Sequence, residues 1–111
     1  MLYVLSDGTI QLTRGDTARL SVSITNDLTK ESYKVEETDT LILTVKRSVK
    51  DDCALFQKRA RGSTSFHIEP ADTSGIPFGK YKYDVQLNKD NGDVYTIVKP
   101  SCFEIMPEVT Y

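Results

Sequence analysis

The chain has 111 residues, a formal net charge of -2 at pH 7, and charged and apolar fractions that are ordinary for a globular protein. This length suits one domain with one hydrophobic core, and we expect residues 1–111 to form it. A basic surplus that would attract phosphates is missing, so we expect no nucleic-acid partner.

The N-terminal apolar run covers only residues 1–5. No basic residue precedes it and no small-residue cleavage site follows it, and it is too short to cross a bilayer. We therefore expect neither a secretory signal nor a membrane contact. The protein would stay inside the cell or leave it by a route other than the general secretory one.

Two strands are predicted before the middle of the chain. Residues 10–12 form a short strand, and Arg14-Gly15-Asp16 forms the turn after it. Residues 17–25 then alternate apolar and polar side chains, as a half-exposed strand does. The inward-facing side chains of this second strand are Ala18, Leu20, Val22 and Ile24.

A polar stretch, residues 26–39, separates these strands from the next pair. Its larger apolar side chains are Leu28, Tyr33 and Val35. We expect an excursion with a weak hairpin strand around Tyr33. Residues 41–49 follow as a strand that pairs, across the loop 50–52, with residues 54–60. The inward-facing side chains of strand 41–49 are Leu41, Leu43 and Val45.

The next segment combines a strand with a turn. Residues 65–69 are predicted to form a strand whose inward-facing side chains are Phe66 and Ile68. Proline cannot continue a strand, so we expect residues 70–75 to form a single helical turn capped by Asp72. Residues 76–78 then re-enter the core.

The clearest alternation in the chain covers residues 79–87. One face carries Tyr81, Tyr83, Val85 and Leu87, and the other carries Lys80, Lys82, Asp84 and Gln86. One buried face and one wet face are typical of an antiparallel sheet that packs on a second layer. Asn91-Gly92 predicts a type I′ hairpin, which would pair residues 94–98 with this strand.

The last segment, residues 102–106, is either a separate edge strand or a continuation of strand 94–98 past Pro100. No stretch of ten or more residues shows a helical period. Seven or eight short strands in a chain of this length predict an all-β, antiparallel β-sandwich.

Few residues offer chemistry. His67, the only histidine, should point to solvent from its strand, and two distant cysteines cannot complete a structural zinc site. Cys53 and Cys102 are expected as reduced thiols, although a bridge stays possible if their α-carbons come close. The carboxylates around Asn91-Gly92 fit a hairpin better than a calcium loop. We expect no enzyme, no cofactor and no metal site.

One local asymmetry of charge stands out. Residues 46–61 hold six basic side chains against two acidic ones in an acidic chain. Such a hairpin could be a solvated edge whose charges discourage edge-to-edge pairing, or a docking edge for an acidic partner. The candidate partner-binding residues are Arg47, Lys50, Lys58, Arg59 and Arg61, together with the segment 103–111.

Four motifs together resemble a known family. They are Ile10-Gln-Leu-Thr-Arg-Gly-Asp-Thr17, Asp39-Thr-Leu-Ile-Leu-Thr-Val45, Phe66-His-Ile-Glu-Pro-Ala-Asp-Thr73 and Gly79-Lys-Tyr-Lys-Tyr-Asp-Val85. The chain, from residue 8 to residue 106, is similar to the small immunoglobulin-like domains of tail and baseplate proteins in phages and prophages of Gram-positive bacteria. A notable example of such domains is the N-terminal domain of baseplate upper proteins.

The resemblance implies an immunoglobulin-like sandwich without the disulfide of antibody domains. Tyr81 would be the corner tyrosine whose hydroxyl bonds to upstream backbone, and Tyr83 would take the place of the disulfide cysteine. It also implies a non-enzymatic structural module that contacts other tail or baseplate proteins, or itself as a homo-oligomer. The chain ends at Tyr111 without a coiled coil or receptor-binding region. We therefore expect a stand-alone structural or accessory protein, located in the virion or in the host cytoplasm before assembly.

A second class of function is an adhesin module that binds a glycan or a protein. It would need an exposed aromatic platform, for which Tyr3, Tyr33 and Tyr95 are the candidates. The tripeptide Arg14-Gly15-Asp16 matches the integrin-type motif, but its position between two strands fits a tight turn better.

Overall fold

The computed structural model describes residues 2–25 and 31–107. Within those residues the chain folds into eight strands and one short helix, which confirms the predicted all-β class. In chain order the elements are β1 (Leu2–Val4), β2 (Ile10–Thr13), β3 (Ala18–Ser21), β4 (Thr40–Lys46), β5 (Phe56–Arg61), β6 (Ser65–Ile68), α1 (Pro70–Thr73), β7 (Gly79–Asn88) and β8 (Val94–Met106).

The strands form two sheets. The larger has the order β1-β2-β8-β7-β4-β5, and the smaller pairs β3 with β6. β2 and β8 run parallel to each other, whereas the other strand pairs of the described chain are antiparallel. The alternation within each strand could not reveal that parallel pair.

The core lies between the two sheets, where the predicted inward faces meet. Phe103 of β8 is fully buried and packs edge-to-face on the rings of Phe56 and Tyr83, with centroids 5.9 and 6.0 Å away. The other predicted core side chains that are buried are Ala18, Leu20, Leu41, Leu43, Val45, Phe66, Ile68, Tyr81, Val85 and Leu87. Val22 and Ile24 are half-buried against this core.

The corner before β7 has the predicted construction. The backbone N–H of Glu69 donates to the carboxylate of Asp72 over 2.7 Å, which caps the single turn α1. The hydroxyl of Tyr81 donates to the carbonyl oxygen of Pro77, as the corner tyrosine of immunoglobulin domains does.

The prediction that residues 76–78 re-enter the core is right for Ile76 and wrong for Phe78. Ile76 is buried, but half of the Phe78 side chain is exposed. The guanidinium of Arg14 lies 4.1 Å from the centre of the Phe78 ring. A cation stacked on the ring face stabilises the aromatic side chain at the surface.

The β7–β8 hairpin forms where it was predicted but with a different turn. The N–H of Gly92 donates to the carbonyl oxygen of Lys89, so Asp90 and Asn91 are the central residues. Gly92 follows with a φ of 96°, which a glycine adopts without strain. This is the three-residue loop with a type I turn and a following left-handed residue, not the two-residue type I′ turn.

β8 is one strand of 13 residues that continues past Pro100. Tyr83 pairs with Ser101 and Val85 with Val98, so β8 holds an extra residue at the proline. A second register shift follows before Gln86. Bulges accommodate a residue that cannot donate to the ladder, which decides between the two predicted alternatives.

The boundaries of other elements differ from prediction. β1 was not predicted, because three residues without alternation give no period to detect. The strand predicted for 17–25 ends at Ser21, and a bridge between Thr25 and Ser32 is the only pairing of the weak strand near Tyr33 within the described residues. Part of that excursion, including Leu28, lies outside the described residues. The one described helix, α1, has four residues, and no described helix could cross a membrane.

Candidate functional site

The outer face of the large sheet, opposite the core, carries a groove of about 470 Å³. It runs over β4 and β7 between the β4–β5 loop and the bulge of β8 at Pro100. The side chains that matter to its chemistry are Ile42, Lys46, Gln57, Lys82, Asp84 and Gln86. We call it the outer groove.

Two lysines face each other at one end of the outer groove. Lys46 on β4 and Lys82 on β7 are direct register partners on adjacent strands. Like charges placed opposite each other destabilise a sheet. Within residues 2–25 and 31–107 neither lysine has a carboxylate within ion-pair distance. The groove therefore presents concentrated positive charge.

Asp84 lies two residues from Lys82 on the same face. Partial burial raises the pKa of the Asp84 carboxyl above its usual value, and the charge of Lys46 offsets part of this effect. Asp84 is only partly accessible to water at the groove floor. A carboxylate in such a place favours a nearby cation over another anion.

The middle of the outer groove is apolar. Ile42 points away from the core, yet only 8% of it is exposed. Val49 on the β4–β5 loop also lines the groove and is 59% exposed. A polar-faced strand does not ordinarily place such side chains outward, so the surface combines cations with an apolar centre.

The structure separates the predicted basic residues into two groups. Arg59 pairs with Ile42 and Arg61 with Thr40, so both arginines extend the outer face from the edge strand β5. Both are exposed, as are Arg47 and Lys50 in the β4–β5 loop. Arg59 and Arg61 thus share a face with the outer groove, and Arg47 and Lys50 belong to the loop whose Val49 and Asp52 line it.

Lys58 lies on the other face of β5. It pairs with Leu43, and its ammonium contacts the carboxylate of Asp72 over 2.7 Å. The two side chains are only 21% and 18% exposed. Lys58 therefore joins β5 to α1 and does not lie on the face of β5 that carries Arg59 and Arg61.

The candidate segment 103–111 is mostly not a surface. Phe103 and Ile105 are in the core. Residues 108–111 lie outside the described residues. Glu104 faces outward, where its carboxylate accepts a hydrogen bond from the Gln11 side-chain amide at 2.9 Å.

A polar cluster that sequence reasoning missed joins the excursion to the β7–β8 hairpin. Asp39 is 1% exposed and accepts hydrogen bonds from the Tyr33 hydroxyl at 2.5 Å and the Glu36 N–H at 3.1 Å. The ammonium of Lys89 donates to the Tyr33 hydroxyl and lies 3.5 Å from the Asp39 carboxylate. Fifty residues separate Asp39 from Lys89, so no local signal could have found the cluster.

The cluster shifts the pKa values of its members in the directions its bonds dictate. The Tyr33 hydroxyl, and then the Glu36 N–H, lower the pKa of Asp39, whereas the bond to Asp39 raises the pKa of Tyr33. The bond to Tyr33 raises the pKa of Lys89. All three effects favour the native charge states at neutral pH, so the cluster is a structural clamp between two loops.

The remaining candidates for chemistry lie apart. His67 is exposed on β6, as predicted, and Cys53 and Cys102 are not bonded to each other. No group of three potential metal ligands occurs in the part of the chain that the structure describes. In the Arg14-Gly15-Asp16 turn, the Gly15 N–H donates to the hydroxyl of buried Thr73 at 2.9 Å.

The three tyrosines of the predicted aromatic platform do not share a surface. Tyr3 pairs with Gln11 on the outer side of the sheet, whereas Tyr95 pairs with Leu87 and extends the inner side. Tyr33 has its hydroxyl in the Asp39 cluster. A single stacking platform for a sugar ring is not formed by these residues.

Comparison with known proteins adds no relative. No protein-family model matches the chain, and no curated protein matches it in sequence. The function proposed for it rests on the positions and charges of its own residues and on the motif resemblance.

Proposed function

We propose that this chain is a non-enzymatic assembly module of phage or prophage tails or baseplates that acts through protein–protein contacts. The motif resemblance supports the tail or baseplate context. Its partners would be other tail or baseplate proteins or a second copy. The protein would reside in the virion, or in the host cytoplasm before assembly.

One observation carries the contact function: the exposed cations Arg59 and Arg61 stand on an edge strand beside the apolar centre of the outer groove. A regular strand holds them in fixed positions. Charged groups around an apolar site set the orientation of a partner and speed its association, while the exposed Val49 at the groove offers apolar area for burial. The partner surface should be acidic with an apolar centre.

The edge position has a second consequence. Among the described residues β5 has no strand neighbour on its outer side, and such an edge can template unwanted strand pairing. Two outward arginines and the inward, paired Lys58 make indiscriminate pairing unfavourable. The same charges allow selective docking of an acidic partner.

The adhesin alternative receives no comparable observation. Its tyrosines lie on different surfaces, and the Arg14-Gly15-Asp16 turn is bonded to α1 through Thr73. We therefore retain assembly as the proposed function.

Charge reversal of the β5 arginines tests this proposal. Host cells carrying the phage or prophage would produce either wild-type protein or the R59E/R61E variant. Released particles would be separated on a density gradient and probed by mass spectrometry. We expect the variant to lose most of its co-migration with tails, while its Tm changes by no more than about 4 °C, because both side chains are exposed.

R19E is the matched control, because Arg19 is exposed on β3 in the smaller sheet. It should co-migrate like wild type. Equal incorporation of R59E/R61E and wild type would contradict the docking role of β5. Absence of the wild-type protein from all particle fractions would contradict the tail or baseplate context itself.

A further inference from the structure

The charge of the chain is unevenly distributed. Residues 46–61 carry six basic and two acidic side chains, whereas the remaining residues carry eight basic and fourteen acidic ones. The basic hairpin therefore belongs to a chain whose remaining residues carry more acidic than basic side chains. A second copy can supply the complementary charge.

The two lysines of the outer groove have no carboxylate partner within the described residues. Lys46 and Lys82 face each other across adjacent strands, and the two carboxylates that line the groove, Asp52 and Asp84, form no ion pair with either lysine within the described residues. Two residues earlier on the same face of β7, by contrast, Lys80 stands opposite a residue of opposite charge, Glu104 of β8. An acidic group from outside would relieve the repulsion between the two lysines.

The β7–β8 hairpin has the matching surface. Asp90 and Asp93 are exposed at its tip, and Val94 and Tyr95 beside them are 56% and 51% exposed. Val94 stands opposite Asn88 on the outer face and Tyr95 opposite Leu87 on the inner side, so the tip carries an apolar side chain on each face next to its two carboxylates. Apolar and charged contacts would form together.

The hairpin cannot reach the groove lysines of its own chain. β7 runs from Lys82 to Asn88 at about 3.3 Å per residue, which places the hairpin roughly 20 Å away at the other end of the sheet. The Asp39 cluster also fixes the hairpin there through Lys89. The contact must therefore join two molecules.

We infer that the outer groove receives the acidic β7–β8 hairpin of a second copy of this chain, in a head-to-tail contact. The inference rests on the proposed function, because it names the partner of the same basic side of the molecule. The two surfaces of this contact differ, so each copy keeps one free groove and one free hairpin. Such heterologous contacts build rings or open filaments rather than closed two-fold dimers.

A pair of charge-reversal variants tests the contact. K46E/K82E makes the groove acidic, and D90K/D93K makes the hairpin basic. Each variant alone has a groove and a hairpin of the same sign. Mixing the two restores attraction at every contact, because an acidic groove meets a basic hairpin and a basic groove meets an acidic hairpin.

Association would be measured by light scattering and sedimentation of the purified full chain across concentrations and at low and high salt. We expect wild type to associate with an affinity that falls at least tenfold between about 50 and 500 mM salt. Each variant alone should remain monomeric, and the equimolar mixture should associate again. R19E should behave like wild type. Rescue by mixing also proves that both variants are folded.

Three results would overturn the inference: wild type monomeric at every concentration, association that survives both variants, or no rescue in the mixture. None of these three results contradicts the proposed function. A monomeric protein that still enters tails through Arg59 and Arg61 would show that the basic side binds a different acidic protein. Failure of the particle experiment with intact self-association would instead remove the tail context and keep the contact.

Discussion

The two faces of β7 belong to one strand but carry different kinds of side chains. On the inner face, Tyr81 and Tyr83 are buried. Their hydroxyls donate hydrogen bonds to the backbone carbonyl oxygens of Pro77 and Gly8, respectively. Outward, Lys82 and Asp84 form no direct ion pair within the described chain. The polar groups of the inner face form hydrogen bonds within the chain. The charged groups of the outer face, Lys82 and Asp84, form no ion pair within the described residues.

This difference shows where a small sandwich can place function without loss of stability. Residues of the inner face contact several elements at once, so their substitution disturbs the whole core. Residues of the outer face contact solvent and each other. We therefore expect inner substitutions to change stability and outer substitutions to change association.

The largest effect should follow from Phe103→Ala. Phe103 is fully buried between Phe56 and Tyr83, so its truncation leaves a cavity at the centre of the core. We expect the free energy of unfolding to fall by about 3–5 kcal/mol, measured by urea denaturation. Val94→Ala, at an exposed position, should change it by less than about 0.5 kcal/mol. Equal losses would contradict the contrast between the two faces.

A smaller effect should follow from Tyr81→Phe, which removes one hydroxyl from the inner face. The carbonyl oxygen of Pro77 then loses its donor next to the core. We expect a loss of about 1–2 kcal/mol in thermal or urea unfolding. Tyr95→Phe is the control, since that hydroxyl is exposed and its bond to Asp93 is long at 3.4 Å. A neutral Tyr81→Phe would show that the corner bond does not stabilise this sandwich.

The smallest effect, of opposite sign, is expected from Asp84→Asn on the outer face. Burial raises the pKa of Asp84 in the folded chain above its usual 3.8, so the folded state binds more protons than the unfolded state between the two pKa values. Stability therefore falls as pH rises through that window, and the cost persists at pH 7. Removing the carboxylate should raise Tm at pH 7 by about 2 °C. The expected change is small because solvent still reaches Asp84 and screens part of the electrostatic effect.

The pH dependence of the change in Tm distinguishes the loss of the Asp84 charge from any other effect of the asparagine side chain on stability. The gain in Tm should disappear below about pH 3.8, where Asp84 is protonated in both states. At neutral pH the same variant should strengthen the salt-sensitive self-association, because the groove becomes more positive. A gain in Tm that is constant from pH 3 to pH 8 would exclude the titration of Asp84 as its source.

Local patterns predicted the parts of the fold that depend on neighbouring residues. The period-two alternation of β7 and β4 gave the inward faces, and the cap by Asp72 follows from residues three apart. Errors occurred where a distant residue decides the outcome. Phe78 stays at the surface because Arg14 stacks on it. Lys58 is a different case: strand alternation alone puts it on the opposite face from Arg59 and Arg61, and only its ion pair with Asp72 depends on a distant residue.

The same limit applies to the candidate site. The basic excess of residues 46–61 was visible in the sequence, and it led to Arg47, Lys50, Arg59 and Arg61 on the surface near the outer groove. The partner lysine Lys82 was assigned correctly to the outer face, but nothing near it indicated that it would stand opposite Lys46. The groove could therefore not be predicted.

The sequence by itself determined the all-β class, the inward and outward side chains of the main strands and the presence of a basic hairpin. These properties follow from the two-residue period of a strand and from composition, which are written in consecutive positions. Only the tertiary structure decided that β2 runs parallel to β8, that Lys46 faces Lys82 and that Asp39 meets Lys89. These relations depend on which strands become neighbours, and that choice is made by the packing of the whole core rather than by any single segment.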